Sequence, residues 1–246
     1  MLYVPPPTRY DLKWRMFGIP VRVHPMFWLL AALLGWNSEM PKLTILVWMP
    51  CVLVSVVVHE LGHALTARRF GGGQPQIVLH FMGLATSGAL AQSRERIIHI
   101  LAGPGAGLIV ATIVAPLFFL QPIDNFWVIA YIHTMFMINL VWSLVNLVPI
   151  LPLDGGQLTK ELIARKRPAG SLYRTARLSI IFAIIAAVIC LVCAIVFRSG
   201  SWFFGVMMAG LLIFYNVQMR RYGSMIEREN LDTPRQSWEK DPDWWR

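Results

Sequence analysis

The sequence predicts an all-α polytopic membrane protein of about six transmembrane helices with a small membrane-associated β-hairpin or sheet. Three observations carry that expectation. Of the 246 residues, 56% are hydrophobic and 14% charged, against about 45–50% and about 25% in soluble domains. The apolar residues gather in long runs, and a bilayer crossing needs about 20 of them. The net charge is +9, and its basic residues lie between alternate apolar runs. This composition excludes a disordered chain and an ordinary soluble enzyme. It also makes nucleic acid an unsuitable partner, since the basic excess follows the loops and forms no single face. The three cysteines all lie in apolar runs and make no disulfide framework.

The predicted spans are residues 24–36, 43–65, 97–120, 126–148, 178–197 and 202–217. The first is short for a bilayer core. Charge placement argues for keeping it. Of the 22 Lys and Arg, all but Lys42 and Arg198 lie in the amino-terminal segment, the second and fourth loops or the tail. The positive-inside rule then puts both termini in the cytoplasm of a multi-pass protein of the cell (plasma or inner) membrane. Without the first span, Arg9, Lys13, Arg15 and Arg22 would fall on the opposite side. Residues 1–22 are basic and lack the apolar stretch of a cleavable signal. Residues 1–222 are expected to form one membrane domain and 223–246 a polar cytoplasmic tail, whose Trp238, Trp244 and Trp245 would touch the interface.

Two acids stand out. Glu60 and Asp154 lie in or against apolar spans, away from other charges. A carboxylate in a bilayer costs several kcal/mol unless it is paired or bound to metal. Glu60 sits in His59-Glu60-Leu61-Gly62-His63. Histidines at i and i+4 share one helical face, so two imidazoles can reach one tetrahedral cation, with the intervening Glu placed to contact its water. Three polar side chains in lipid without a shared partner would be costly.

A third ligand is needed, and Asp154 is the other intramembrane acid. Its setting is Asn146-Leu-Val-Pro149-Ile-Leu-Pro152-Leu-Asp154-Gly155-Gly156. Two prolines three apart break a regular helix, and irregular backbone at membrane depth requires a protein-lined polar cavity. Gly155 and Gly156 are expected to let the backbone turn sharply after the ligand. His59 precedes Arg68 by nine residues, about 13 Å if helical. Asp154 precedes Lys160 by six, about 9 Å on the same basis. Both basic residues belong at the cytoplasmic interface, so the ligands reach similar depths.

These motifs resemble those of the site-2 proteases, the intramembrane zinc metallopeptidases of the M50 type. The residues carrying the likeness are His59-Glu60-x-x-His63, Asn146-x-x-Pro149-x-x-Pro152-Leu153-Asp154-Gly155 and Ala102-Gly103-Pro104, and it extends over about residues 14–222. The compact six-span layout resembles the sporulation-type bacterial branch. The resemblance implies one Zn²⁺ per chain on His59, His63 and Asp154, Glu60 as general base, and Asn146 holding the scissile carbonyl or its oxyanion. The expected function is hydrolysis of a peptide bond in or near a transmembrane segment of a membrane-protein substrate, at the cytoplasmic side, in regulated intramembrane proteolysis. The bilayer and that substrate are the expected partners. One departure appears: three residues after the Gly-Pro pair the family often has Asn, where this chain has Gly107.

Around residues 74–88 a β-prone Ile77-Val-Leu-His-Phe-Met run suggests a hairpin in the cytoplasmic leaflet, able to pair with an unwound substrate. Ile19, Val21 and Val23 alternate and are expected to join it. Gly103-x-x-x-Gly107 reads as close helix packing, with a kink at its Gly-Pro. Cys190-x-x-Cys193 and His133 read as packing residues, and His80 and His99 as surface-proximal residues of little information. Two rivals remain. A non-catalytic zinc-binding scaffold of the same fold has no need of a base such as Glu60. A prenyl-protein type of zincin takes Glu as third ligand, and no Glu follows in a later span.

Overall fold

The computed structural model describes residues 5–35, 42–80, 85–86, 90–197 and 201–232. Gly83, Gly88 and the tail tryptophans lie outside them. Seven α-helices and four short strands follow in the order β1 (Leu12–Met16), β2 (Ile19–Val23), α1 (Pro25–Gly35), α2 (Ile45–Arg69), β3 (Gln76–Leu79), β4 (Ala85–Thr86), α3 (Ser93–Leu120), α4 (Phe126–Asn146), α5 (Asp154–Lys166), α6 (Ser171–Phe197) and α7 (Ser201–Asp232). Among the described residues, α2, α3, α4 and α6 are long and apolar enough to cross a membrane. The first expected span is the 11-residue α1, about 16 Å long against a hydrocarbon core of about 30 Å. The sixth lies within α7, which runs on past Tyr222.

The chain divides into two units. The first comprises residues 1–148 and 153–158. Its mixed sheet has the order β1-β2-β3-β4. β2 and β3 run parallel, with Val21 opposite Ile77 and Val23 opposite Leu79. The expected pairing of the Ile19–Val23 stretch with the later loop is therefore present. β1 was not expected: its Lys13 and Arg15 alternate with Trp14 and Met16, but the run is too short and too charged to stand out. Phe17 and Gly18, at φ of 51° and 79°, form the two-residue turn between β1 and β2, as the twist of a tight hairpin demands. Ile19, Val21, Val23, Ile77 and Leu79 pack with Phe27 and Ala31 of α1 and Val52, Val56, Val57 and Leu61 of α2 in one buried core.

Helix ends follow local chemistry. Gly71 at φ 75° closes α2, and the Gly72 N–H donates to the Ala67 carbonyl at 2.8 Å, a left-handed glycine cap. Gln92 and Glu95 form a capping box on α3. Asn125 caps α4, its Oδ1 accepting from the Trp127 and Val128 N–H groups at 3.0 and 3.2 Å. α3 stays helical through Pro104 and Pro116. The second unit comprises residues 149–152 and 159–246, and α6 pairs with α7 within it. Its α6 buries a narrow face of Thr175, Ala176, Ser179 and Ala183 and exposes Ile181, Ile184, Ile185, Val188 and Val192, a distribution suited to lipid contact.

Candidate metal centre

α2 carries His59, Glu60 and His63, all buried. The sequence supplies the helix through its apolar run, and the i, i+4 spacing puts both imidazoles on one face. Asp154 opens α5. Pro149 and Pro152 keep the preceding stretch out of helix, and the carboxylate then stands at a helix N-terminus, where the peptide dipoles favour negative charge.

The three ligand atoms form a nearly equilateral triangle. His59 Nε2 lies 3.2 Å from His63 Nε2. Asp154 Oδ2 lies 3.2 Å from His59 Nε2 and 3.3 Å from His63 Nε2. A tetrahedral zinc with bonds of about 2.0–2.1 Å requires ligand–ligand edges of about 3.3–3.4 Å, so the donor set has the size of one zinc face. The protonation pattern agrees. His63 Nδ1 faces the His99 carbonyl at 2.8 Å, and a carbonyl only accepts, so the proton is on Nδ1 and the Nε2 lone pair turns inward. Asp154 Oδ2 has no hydrogen-bond donor among the described residues. Buried lone pairs converging on one point call for a cation.

The surroundings are shaped for this group. A Cβ on Gly103 would overlap the His63 imidazole, and one on Gly62 would strike the Ala102 carbonyl. α2 and α3 therefore approach through two glycines, and Gly103 gives the ring its space. The packing expectation for Gly103 holds and gains a second purpose. His99, set aside on sequence, is brought against the site: its Nδ1 bonds the His63 carbonyl at 3.0 Å and lies 3.3 Å from Thr66 Oγ1. No spacing signal marked it, because its partner is a backbone group on another helix. A Cβ on Gly107 would meet Ser143 Oγ, so this position packs α3 against α4.

Gly155 corrects an expectation. It lies in the first turn of α5 and is not among the glycines with positive φ. Its requirement is space, since a Cβ would collide with the Leu147 and Val148 carbonyls. Asn146 closes α4, buried, with Nδ2 donating to the Trp142 carbonyl at 2.9 Å. His133 packs on Phe118 with ring centroids 4.5 Å apart, and Cys190 and Cys193 are free thiols on α6.

Residues 121–192 match peptidase family M50. The chain is 28% identical over 162 residues to the zinc metalloprotease MJ0392 of Methanocaldococcus jannaschii, covering 64% of this chain and 47% of that protein. It is 30% identical over 173 residues to the stage IV sporulation protein FB of Bacillus subtilis, covering 66% and 54%. The chain thus resembles peptidase family M50 over residues 121–192. It spans about half the length of these relatives. The fold of this chain matches the site-2 protease from Methanocaldococcus jannaschii with a TM-score of 0.60 at 22% identity, over 86% of this chain and 95% of that one.

Proposed function

We propose that this chain is an M50-type, zinc-dependent intramembrane endopeptidase that hydrolyses a peptide bond in or near a transmembrane segment of a membrane protein, on the cytoplasmic side. The buried His59–His63–Asp154 triangle carries this reading, and the relatives named zinc metalloproteases support it. A zinc ion held there would supply Lewis acidity and a water of lowered pKa, about 7. Glu60, next to the first ligand and 6% exposed, takes the proton of the attacking water and delivers it to the leaving amine. Asn146 keeps one amide N–H beyond its Trp142 bond, available to the carbonyl oxygen of the scissile peptide. The β2–β3–β4 sheet offers main-chain pairing to a substrate strand unwound from its helix.

Cytoplasmic-side cleavage rests on depth. α2 ends in Arg68 and Arg69, about 13 Å beyond His59 along the helix, and α5 ends in Arg165 and Lys166. Six crossings, with both termini cytoplasmic in the plasma or inner membrane, complete the reading, and a parity argument supports the first crossing. β2 precedes α1 and α2, β3 follows them, and the two strands pair. They therefore share one side of the bilayer. If α2 crosses once, the chain must cross a second time between Val23 and Ile45, where α1 lies.

The deciding experiment reconstitutes the purified protein in liposomes with a single-span reporter substrate. Glu60→Gln should lower turnover by at least about 10³-fold while zinc content by mass spectrometry stays at one per chain. Unchanged turnover would remove Glu60 as base. Zinc bound with no cleavage of any membrane substrate by the wild type, in a proteome-wide comparison of membrane fractions, would favour a zinc-binding scaffold.

A further inference from the structure

Asp154 can complete the triangle only if the irregular stretch before it is fixed, and the structure shows what fixes it. Leu151 lies between Pro149 and Pro152 in that stretch. Both of its backbone groups are taken by buried side chains of the α6–α7 hairpin. The Leu151 N–H donates to Ser179 Oγ at 3.0 Å. Asn216 Nδ2 donates to the Leu151 carbonyl at 2.7 Å and to the Leu212 carbonyl at 2.8 Å. Ser179 and Asn216 are both 0% exposed.

Ser179 reaches outside its own helix, and Asn216 does so with one of its two bonds. A polar side chain in an apolar transmembrane environment costs free energy unless it is matched, and Asn216 leaves its Oδ1 buried without a partner among the described residues. An apolar residue would avoid that cost, so the amide is retained for what it donates. Thr175 makes the contrast. It is equally buried on α6, but its hydroxyl bonds the Ser171 carbonyl of the same helix at 2.7 Å and reaches no loop.

We infer that Ser179 and Asn216 are positioning residues for the third metal ligand: by clasping the N–H and C=O of Leu151 they set the path along which the chain delivers Asp154. The clasp acts through covalent chain, three residues from Leu151 to Asp154, and it touches no reacting atom. This inference rests on the metal-centre reading above.

The test measures Zn²⁺ affinity by chelator competition on the purified full-length protein in detergent micelles, together with the visible absorption spectrum of the Co²⁺-substituted form. Ser179→Ala and Asn216→Ala should each weaken Zn²⁺ binding by about tenfold or more, as loss of a ligand-orienting partner does elsewhere, and should alter the Co²⁺ bands. Ser179→Thr, which keeps the hydroxyl, should restore both. Thr175→Ala should lower thermal stability without changing either readout. Affinities in Ser179→Ala and Asn216→Ala equal to wild type, or changed no more than in Thr175→Ala, would overturn the inference. Should Asn216→Ala fail to fold, Ser179→Ala and its Thr counterpart decide alone. A wild-type protein that binds no Zn²⁺ would instead defeat the metal-centre reading itself.

Discussion

Gly103 shows how much of the site depends on single atoms. One added methyl would occupy the space of the His63 ring, and the ring has no free direction to yield because its Nδ1 is held by the His99 carbonyl. Gly103→Ala should therefore lower zinc affinity by about tenfold or more, readable by chelator competition, with helix content by circular dichroism unchanged. Of the candidate site, the His59–His63–Asp154 group was legible in the sequence because charge in lipid is conspicuous and i, i+4 spacing is a geometric statement. His99, Ser179 and Asn216 were not. Their partners are main-chain groups of distant segments, and no pattern along one chain encodes such a contact.

Between elements, polar contacts pin helices that would otherwise slide on apolar surfaces. Asn139 Nδ2 on α4 donates to Ser55 Oγ on α2 at 2.8 Å, and also to the Met135 carbonyl at 2.8 Å. Asn139→Leu should destabilise the fold by about 1–3 kcal/mol, measured as a lower unfolding midpoint, because Ser55 then loses its donor in a buried setting. At the sheet margin, burial raises the Asp11 carboxyl, but the Thr8 hydroxyl and N–H and the Arg22 guanidinium outweigh it and hold the group at about 2, below its ordinary 3.8. The folded state thus favours the carboxylate. Its contribution is complete above pH about 4 and is lost as pH falls toward about 2. The unfolding midpoints of wild type and Asp11→Asn should differ at pH 5 and converge near pH 2; a gap that persists would contradict the assignment. The long helices α2, α3, α4 and α6 were readable as apolar runs. α5 was not, because its Asp-Gly-Gly opening has low helix propensity and takes its shape from the packing that excludes a Cβ at Gly155.

At the scale of the molecule, the expected layout of six crossings makes a distinct forecast. Reporter fusions after Tyr222, and before Leu12, should both read cytoplasmic, and an amino terminus on the opposite side of the bilayer from Gly73 would break the parity between β2 and β3. Treatment with a strong zinc chelator should abolish cleavage, and added Zn²⁺ should restore it, in the liposome assay.

The parallel pairing of Val21–Val23 with Ile77–Leu79 also orders biogenesis. Because β2 is synthesised before α1 and α2, and β3 after both, the nascent amino-terminal hairpin keeps one edge open until both intervening helices have been made. Until β3 is made, that edge keeps backbone N–H and C=O groups unpaired, a template for a wrong partner.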